Sequence, residues 1–96
     1  MANLRNYGTG EVIREATLEE MALSVEAAEM DGGAGVIVVD GVRCYVDGDR
    51  IEVDCDETSE DYDRGRMLRR RPNGDVLIGW DSGVQTWTAL EDLRAL

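Results

Sequence analysis

The residues best suited to chemistry form a run of carboxylates, DCDETSEDYD, at positions 54–63. Six of these ten residues are Asp or Glu, and none is basic. Such a run could bind a divalent cation, present negative charge to a basic partner, or serve as a solvated linker. The calcium site has the strictest spacing rule of the three.

A calcium loop of the EF type needs oxygen ligands at positions 1, 3 and 5, a glycine at position 6 and a bidentate Glu at position 12. Counted from Asp54, positions 6 and 12 hold Ser59 and Gly65, so the turn glycine and the bidentate acid are both missing. A zinc site is also disfavoured, because the chain has no His and only two thiols, Cys44 and Cys55. The sequence therefore predicts no metal site.

Catalysis finds equally little support in the residue types. Without His, no Ser or Cys has the base that usually activates it as a nucleophile, and Cys44 is predicted to point into the core. No pair among the many carboxylates stands out as an acid and a base held in a cleft. We therefore predict that the protein is not an enzyme and uses no cofactor, and that its cysteines are reduced.

Charge is unevenly distributed along the 96 residues, whose formal net charge is -11. Residues 1–63 hold 17 acids and four Arg, a net of -13, and residues 64–96 hold four acids and six Arg, a net of +2. All ten basic residues are Arg, which suits a GC-rich genome or a salt-adapted source. The five Arg in RGRMLRRR (64–71) could contact phosphates or pair with the preceding acids.

The acidic run is predicted to be an interaction surface that imitates nucleic acid. Alternate residues of a strand share one face, so Glu52, Asp54 and Asp56 would stand about 6.6 Å apart in a regular row of charge. Such a row would fit a basic groove and steer the encounter with it. The competing interpretation is an acidic face kept for solubility. The predicted partner-binding residues are Glu52, Asp54, Asp56, Glu57, Glu60, Asp61 and Asp63.

Hydrophobic spacing predicts a helix and then a sheet in the first half. In ATLEEMALSVEAAEMDGG, Thr17 and Glu20 form a capping box, and the glycines at 32–33 end the helix. In GVIVVDGVRCYVDGDRIEVDC, a turn at Asp40-Gly41 predicts a hairpin that continues into a three-stranded meander.

The second half changes character after the acidic run. Turn signals at positions 73–74 and 82–83 separate three predicted strands, at about 66–71, 76–81 and 84–88, with Trp80 and Trp87 on one side. The final ALEDLRAL is predicted to form a single helical turn.

The stretch MLRRRPNGDVLIGWDSGVQTWTALEDL resembles small SH3-like barrels of the Tudor or KOW type, in which a glycine-turned hairpin is followed by a strand and EDL. The resemblance implies a module that binds nucleic acid, methylated side chains or peptides. The residues it suggests as an alternative binding surface are Tyr62, Trp80, Trp87, Arg69, Arg70 and Arg71.

The stretch NYGTGEVIREATLEEMALSVEAAEMDGGAGVIVVDGVRCYV is similar to small acidic bacterial proteins of phage and mobile-element gene neighbourhoods. The resemblance implies an accessory role such as inhibition of host defence, in the manner of anti-CRISPR or anti-restriction proteins.

Together these patterns predict an α+β protein with one helix on an antiparallel meander, followed by a small SH3-like β-barrel or a continuous antiparallel sheet. The predicted boundaries are residues 1–55 for the first module, 56–65 for an acidic linker and 66–96 for the second module, or one compact domain overall. The expected partner is a nucleic-acid-binding protein or complex rather than nucleic acid itself or a membrane. The chain is expected to be cytoplasmic, as a monomer or homodimer.

Overall fold

The computed structural model of the chain describes residues 2–54 and 62–96. Within these ranges it contains nine β-strands, one α-helix and a short 3₁₀ turn. In chain order these are β1 (Asn3–Asn6), β2 (Val12–Glu15), α1 (Leu18–Asp31), β3 (Ile37–Val39), β4 (Val42–Asp47), β5 (Arg50–Val53), β6 (Arg64–Arg70), β7 (Val76–Trp80), β8 (Gln85–Thr88), the 3₁₀ turn (Leu90–Asp92) and β9 (Leu93–Ala95). In this described part, no helix is both long and apolar enough to cross a membrane.

The predicted helix and both of its ends are confirmed. The Thr17 hydroxyl accepts a hydrogen bond from the Glu20 amide at 3.1 Å, and the Glu20 carboxylate accepts one from the Thr17 amide at 2.9 Å. Gly32 ends the helix in the left-handed conformation, with φ of 80°. Arg14 donates two hydrogen bonds of 2.6 Å to the Glu20 carboxylate. These bonds, together with the hydrogen bond from the Thr17 amide, lower the pKa of Glu20 to about 2.

The first sheet has the antiparallel order β2-β1-β4-β3. The predicted hairpin between β3 and β4 is confirmed, and Asp40 and Gly41 turn it with φ of 51° and 79°. These two positive values are those of a type I′ turn, whose twist matches that of the flanking strands. On its inner face, Leu4 of β1 lies opposite Val46 of β4.

The second sheet has the order β8-β7-β6-β5-β9 and is also antiparallel. Its strand β5 lies between two partners, so that Ile51 faces Gly65 of β6 on one side and Ala95 of β9 on the other. The Ile51 side chain belongs to the hydrophobic core and is fully buried.

The prediction of a three-stranded meander followed by an SH3-like barrel is wrong. β1 occupies the edge of β4 that the meander would have given to β5, and β5 pairs in the second sheet instead. The described residues form two open sheets, and no closed barrel is present among them. The predicted terminal helical turn is present as the 3₁₀ turn Leu90–Asp92, and it leads into β9. The fold is broadly α+β, because one helix packs with the two antiparallel sheets.

A single hydrophobic core joins the helix to both sheets. Met21 and Ala22 of α1 are fully buried and belong to the same cluster as Leu4 of the first sheet and Ile78 of the second. The other buried members of the cluster are Ala2, Ala16, Cys44, Ile51, Met67, Val76, Trp80 and Leu93.

Gly65 of β6 lies where the backbone of β7 leaves no room for a side chain. A Cβ atom there would lie 2.6 Å from the carbonyl oxygen of Gly79 and 2.9 Å from Cα of Trp80. Both obstacles are backbone atoms of β7, so neither can move aside without separating the two strands. The site accepts glycine alone.

We therefore expect Gly65→Ala to lower the free energy of unfolding by about 1–3 kcal/mol, the usual cost of overpacking. Urea denaturation measures the change. Gly8→Ala is the control, because a Cβ there would make an ordinary contact of 3.4 Å with the Asn6 side chain. Equal stability losses in the two variants would contradict the packing constraint at Gly65.

A second prediction concerns pH and the helix cap. Folding lowers the pKa of Glu20 from 4.5 to about 2, so its contribution to stability is complete above pH 4.5 and is lost as pH falls towards 2. At neutral pH, the free energy of unfolding should be larger for wild type than for Glu20→Gln. This difference between the two proteins should shrink as the pH is lowered from 4.5 towards 2. Glu19→Gln, which alters an exposed carboxylate without an ion pair in the described chain, is the control variant and is measured in the same way. A Glu20→Gln difference that does not change with pH would refute the assignment.

Candidate functional site

The C-terminal end of β5 brings together acidic residues that are far apart in the sequence. The Val53 amide donates to the carbonyl oxygen of Asp63 at 2.9 Å, and the Asp54 amide donates to that of Asp92 at 2.8 Å. Asp54, Asp63, Glu91 and Asp92 are all exposed. We call these four residues the acidic end of the second sheet.

Most of the cations in the protein are already paired with carboxylates. Eight of the ten Arg lie within 4.0 Å of an Asp or Glu oxygen, and Arg71 instead stacks over the Trp87 ring at 3.8 Å. The pairs are Arg5–Asp47, Arg14–Glu20, Arg50–Asp81, Arg64–Glu52, Arg66–Asp49, Arg69–Glu29, Arg70–Glu26 and Arg94 with both Glu52 and Asp54.

The acidic end receives little of this compensation. Asp54 shares Arg94 with Glu52, at 3.6 Å against 3.2 Å, and Asp63, Glu91 and Asp92 form no ion pair with any described residue. The other described carboxylates without an ion pair are Glu11, Glu15, Glu19, Asp40 and Asp75, which lie outside the acidic end. The chain between Asp54 and Asp63 adds four further acids in sequence. Uncompensated negative charge is therefore concentrated where β5 ends.

Of the partner-binding residues predicted from sequence, Glu52 is the most compensated. It lies directly opposite Arg64 on β6 and Arg94 on β9, with ion-pair distances of 3.9 Å and 3.2 Å. Its side chain is 23% exposed, against 52% for Asp54. The predicted residues Asp56, Glu57, Glu60 and Asp61 lie outside the described residues.

The structure does not bring the alternative surface together as one patch. Ile78 of β7 pairs with Thr86 of β8, which puts Thr86 on the core side with Trp80 and turns Trp87 to the opposite face. The prediction that Trp80 and Trp87 share one side is therefore wrong. Trp80 is 5% exposed and meets Tyr62 edge-to-face at 5.8 Å between ring centroids.

Two of the three arginines of this surface pair with the helix. Arg69 contacts Glu29 at 2.6 Å, and Arg70 contacts Glu26 at 2.6 Å, which joins β6 to α1. The predicted pairing of RGRMLRRR with the acids between Asp47 and Asp63 is confirmed instead at Arg64 and Arg66, which lie 3.9 Å from Glu52 and 3.5 Å from Asp49. The buried Nε of Arg70 has no hydrogen-bond partner in the described chain.

The surface of the described chain has two cavities of interest. One of about 320 Å³ lies between α1 and β4, where the Ser24 hydroxyl donates to the Gly35 carbonyl oxygen at 2.7 Å. The other, of about 410 Å³, opens beside the acidic end. Its lining residues are Val53, Asp54, Tyr62, Trp80, Thr86, Thr88 and Asp92. Among the described residues, no group of three or more His, Cys, Asp or Glu could hold a metal ion.

Sequence reasoning missed Glu91 and Asp92, because ALEDLRAL suggested a helical turn at the end of the chain. The available signal was the alternation of Leu93, Arg94 and Ala95, whose period of two is typical of a strand. A strand pairing with β5 would have placed Asp92 next to Asp54.

Comparisons of the chain with protein-family models, curated proteins and solved structures find no match. The resemblance of residues 6–46 to small phage and mobile-element proteins therefore stays a prediction.

The ion pairs between β6 and α1 lead to a stability prediction. Arg70 is 21% exposed and carries buried atoms between the helix and the sheet, whereas Arg69 is 59% exposed. We expect Arg70→Ala to lower the free energy of unfolding by about 1–2 kcal/mol, through lost packing as well as lost charge. The matched variant Arg69→Ala should cost under about 1 kcal/mol, as exposed pairs do. Urea denaturation compares the two, and a larger loss for Arg69→Ala would contradict this account.

Proposed function

We propose that the protein is a non-catalytic acidic interaction protein that binds the nucleic-acid-binding surface of another protein and inhibits it. The observation that carries this proposal is the uncompensated charge of the acidic end. Three exposed carboxylates there, those of Asp63, Glu91 and Asp92, have no cationic partner in the described chain.

The electrostatics suit such a partner. Proteins that bind nucleic acid place Lys and Arg along a groove to neutralise phosphates. A concentration of exposed carboxylates would be attracted to the same groove and would accelerate the encounter by long-range steering. The net charge of -11 opposes direct binding of the protein to nucleic acid.

The internal pairing of the arginines also supports a basic partner. Arg69 and Arg70, which could otherwise contact phosphates, are held by Glu29 and Glu26 of α1. The positive charge of these two arginines is therefore balanced within the fold, and the net charge of the molecule is negative. A partner must then be basic to gain from the electrostatic field.

We further propose that the partner belongs to a host defence system and that the protein is encoded by a phage or mobile element. This step rests on the resemblance to small acidic proteins from such gene neighbourhoods that is predicted for residues 6–46 from the sequence. Blocking a nucleic-acid-binding groove is an effective way to stop a defence complex without catalysis.

The test is capture of partners from host lysate by the immobilised protein at low and moderate salt. The parent should retain nucleic-acid-binding proteins, more salt should release them, and soluble parent should displace a duplex oligonucleotide from them. A variant with Asp54→Asn, Asp63→Asn, Glu91→Gln and Asp92→Asn should lose capture by at least about tenfold, because each charge contributes to steering and attraction.

The matched control neutralises four exposed carboxylates elsewhere: Glu11→Gln, Glu15→Gln, Glu19→Gln and Asp40→Asn. Both variants carry a net charge of -7, since four negative charges are removed from -11. The control should capture the same proteins nearly as well as the parent. Equal capture by the parent and the acidic-end variant would contradict the proposal and direct attention to the exposed face of Trp87 and Arg71.

A further inference from the structure

We propose that the cavity beside the acidic end binds the guanidinium group of an arginine side chain presented by the basic protein partner. This inference rests on the proposed function and names the chemical group that the surface recognises. The cavity of about 410 Å³ is lined by aromatic rings, threonines and carboxylates, a combination that suits a flat organic cation.

The aromatic side of the cavity is held in a fixed geometry. Trp80 is almost fully buried, and its indole Nε1 donates a hydrogen bond of 2.7 Å to the Thr86 hydroxyl. Thr86 in turn lies 3.1 Å from the Thr88 hydroxyl. Tyr62 meets Trp80 at an interplanar angle of 83° and remains 44% exposed. The exposed Tyr62 ring therefore offers its surface to a ligand, over a floor that cannot rearrange easily.

The acidic side of the cavity comes from Asp54 and Asp92. The hydrogen bond between their backbones, from the Asp54 amide to the Asp92 carbonyl oxygen, is 2.8 Å long and fixes the two residues side by side. Asp92 has no ion pair in the described chain, and Asp54 has only the 3.6 Å contact with Arg94. Two carboxylates thus stand beside an aromatic ring with most of their hydrogen-bonding capacity unused.

Arginine fits this combination better than lysine. The guanidinium group is planar, weakly hydrated and able to stack on a ring while it donates two parallel hydrogen bonds to a carboxylate. A lysine ammonium is a compact, strongly hydrated charge that loses more on entering a partly apolar cavity. Phosphate and other anions are excluded by the two carboxylates.

Elsewhere in the protein, arginine side chains make both kinds of contact, stacking on an aromatic ring and paired hydrogen bonds to a carboxylate. Arg71 lies 3.8 Å above the centre of the Trp87 ring, and Arg50 makes two hydrogen bonds of 2.7 Å to the carboxylate of Asp81. The cavity provides the ring and the carboxylates together, and within the described chain Arg94 reaches the Asp54 carboxylate at 3.6 Å while Asp92 has no ion pair. A basic groove supplies that arginine, since such grooves use it to hold phosphates.

The experiment uses the whole chain and a short peptide, acetyl-Gly-Arg-Gly-amide, with matched peptides in which lysine or citrulline replaces arginine. Citrulline has nearly the shape of arginine but no charge. Binding is followed by NMR through the indole N–H signal of Trp80, with that of Trp87 as an internal reference. The arginine peptide should move the Trp80 signal alone, and the citrulline peptide should bind at least about tenfold more weakly, because charge-assisted bonds are lost.

Two variants test the two sides of the cavity separately. Asp92→Asn and Tyr62→Ala should each weaken binding of the arginine peptide by about tenfold or more. Glu19→Gln removes one exposed charge from α1 and should leave binding unchanged. Equal binding of arginine and citrulline peptides, or unchanged binding in both cavity variants, would overturn the proposal. Equal binding of arginine and lysine would overturn the assignment to a guanidinium group.

Peptide binding and partner capture together distinguish failure of the cavity assignment from failure of the proposed function. If the arginine peptide fails to bind while the parent still captures basic partners through its acidic end, the cavity assignment fails alone. If the peptide binds as expected and no nucleic-acid-binding partner is captured, the cavity assignment is supported and the proposed inhibition fails.

Discussion

β5 lies between β6 and β9, and this position determines both the second sheet and its acidic end. The pairing directs Ile51 into the hydrophobic core and places Glu52 between two arginines of the neighbouring strands. It also brings residues 54, 63 and 92 to the same strand end through two backbone hydrogen bonds. The close approach of β6 to β7 at Gly65 keeps the sheet compact on the other side of the pairing. The candidate surface is therefore a direct consequence of strand order.

Charge in this protein is organised by pairing rather than by total amount. Arginines of the second half compensate carboxylates of the first half, as the pairs of Arg69 and Arg70 with α1 show. Exposed pairs of this kind contribute little stability individually, but they determine which carboxylates remain uncompensated. Three of the described carboxylates without an ion pair, Asp63, Glu91 and Asp92, lie at the acidic end, beside a cavity with an aromatic wall. We propose an interaction surface there because the arginines are engaged elsewhere.

Local signals predicted the parts of the fold that local physics determines. The capping box of Thr17 and Glu20 and the Asp40-Gly41 turn specify a helix start and a hairpin without help from distant residues. Strand pairing depends on tertiary contacts, so the sequence did not reveal that β1 takes the free edge of β4 and excludes β5 from it. The same limit applies to the site. The acidic run was visible in sequence, whereas the contribution of Asp92 required the pairing of β5 with β9.

The most direct test of the central claim is a map of the electrostatic potential around the folded protein. Relaxation of backbone amide protons is measured by NMR with a cationic nitroxide and with a neutral nitroxide of the same size. We predict the largest ratio of cationic to neutral effect at residues 54, 63, 91 and 92, decreasing as salt is added. Asp40, an exposed acid in the turn between β3 and β4, provides the comparison. An equal ratio at Asp40 and at the acidic end would contradict the claim that uncompensated charge is concentrated where β5 ends.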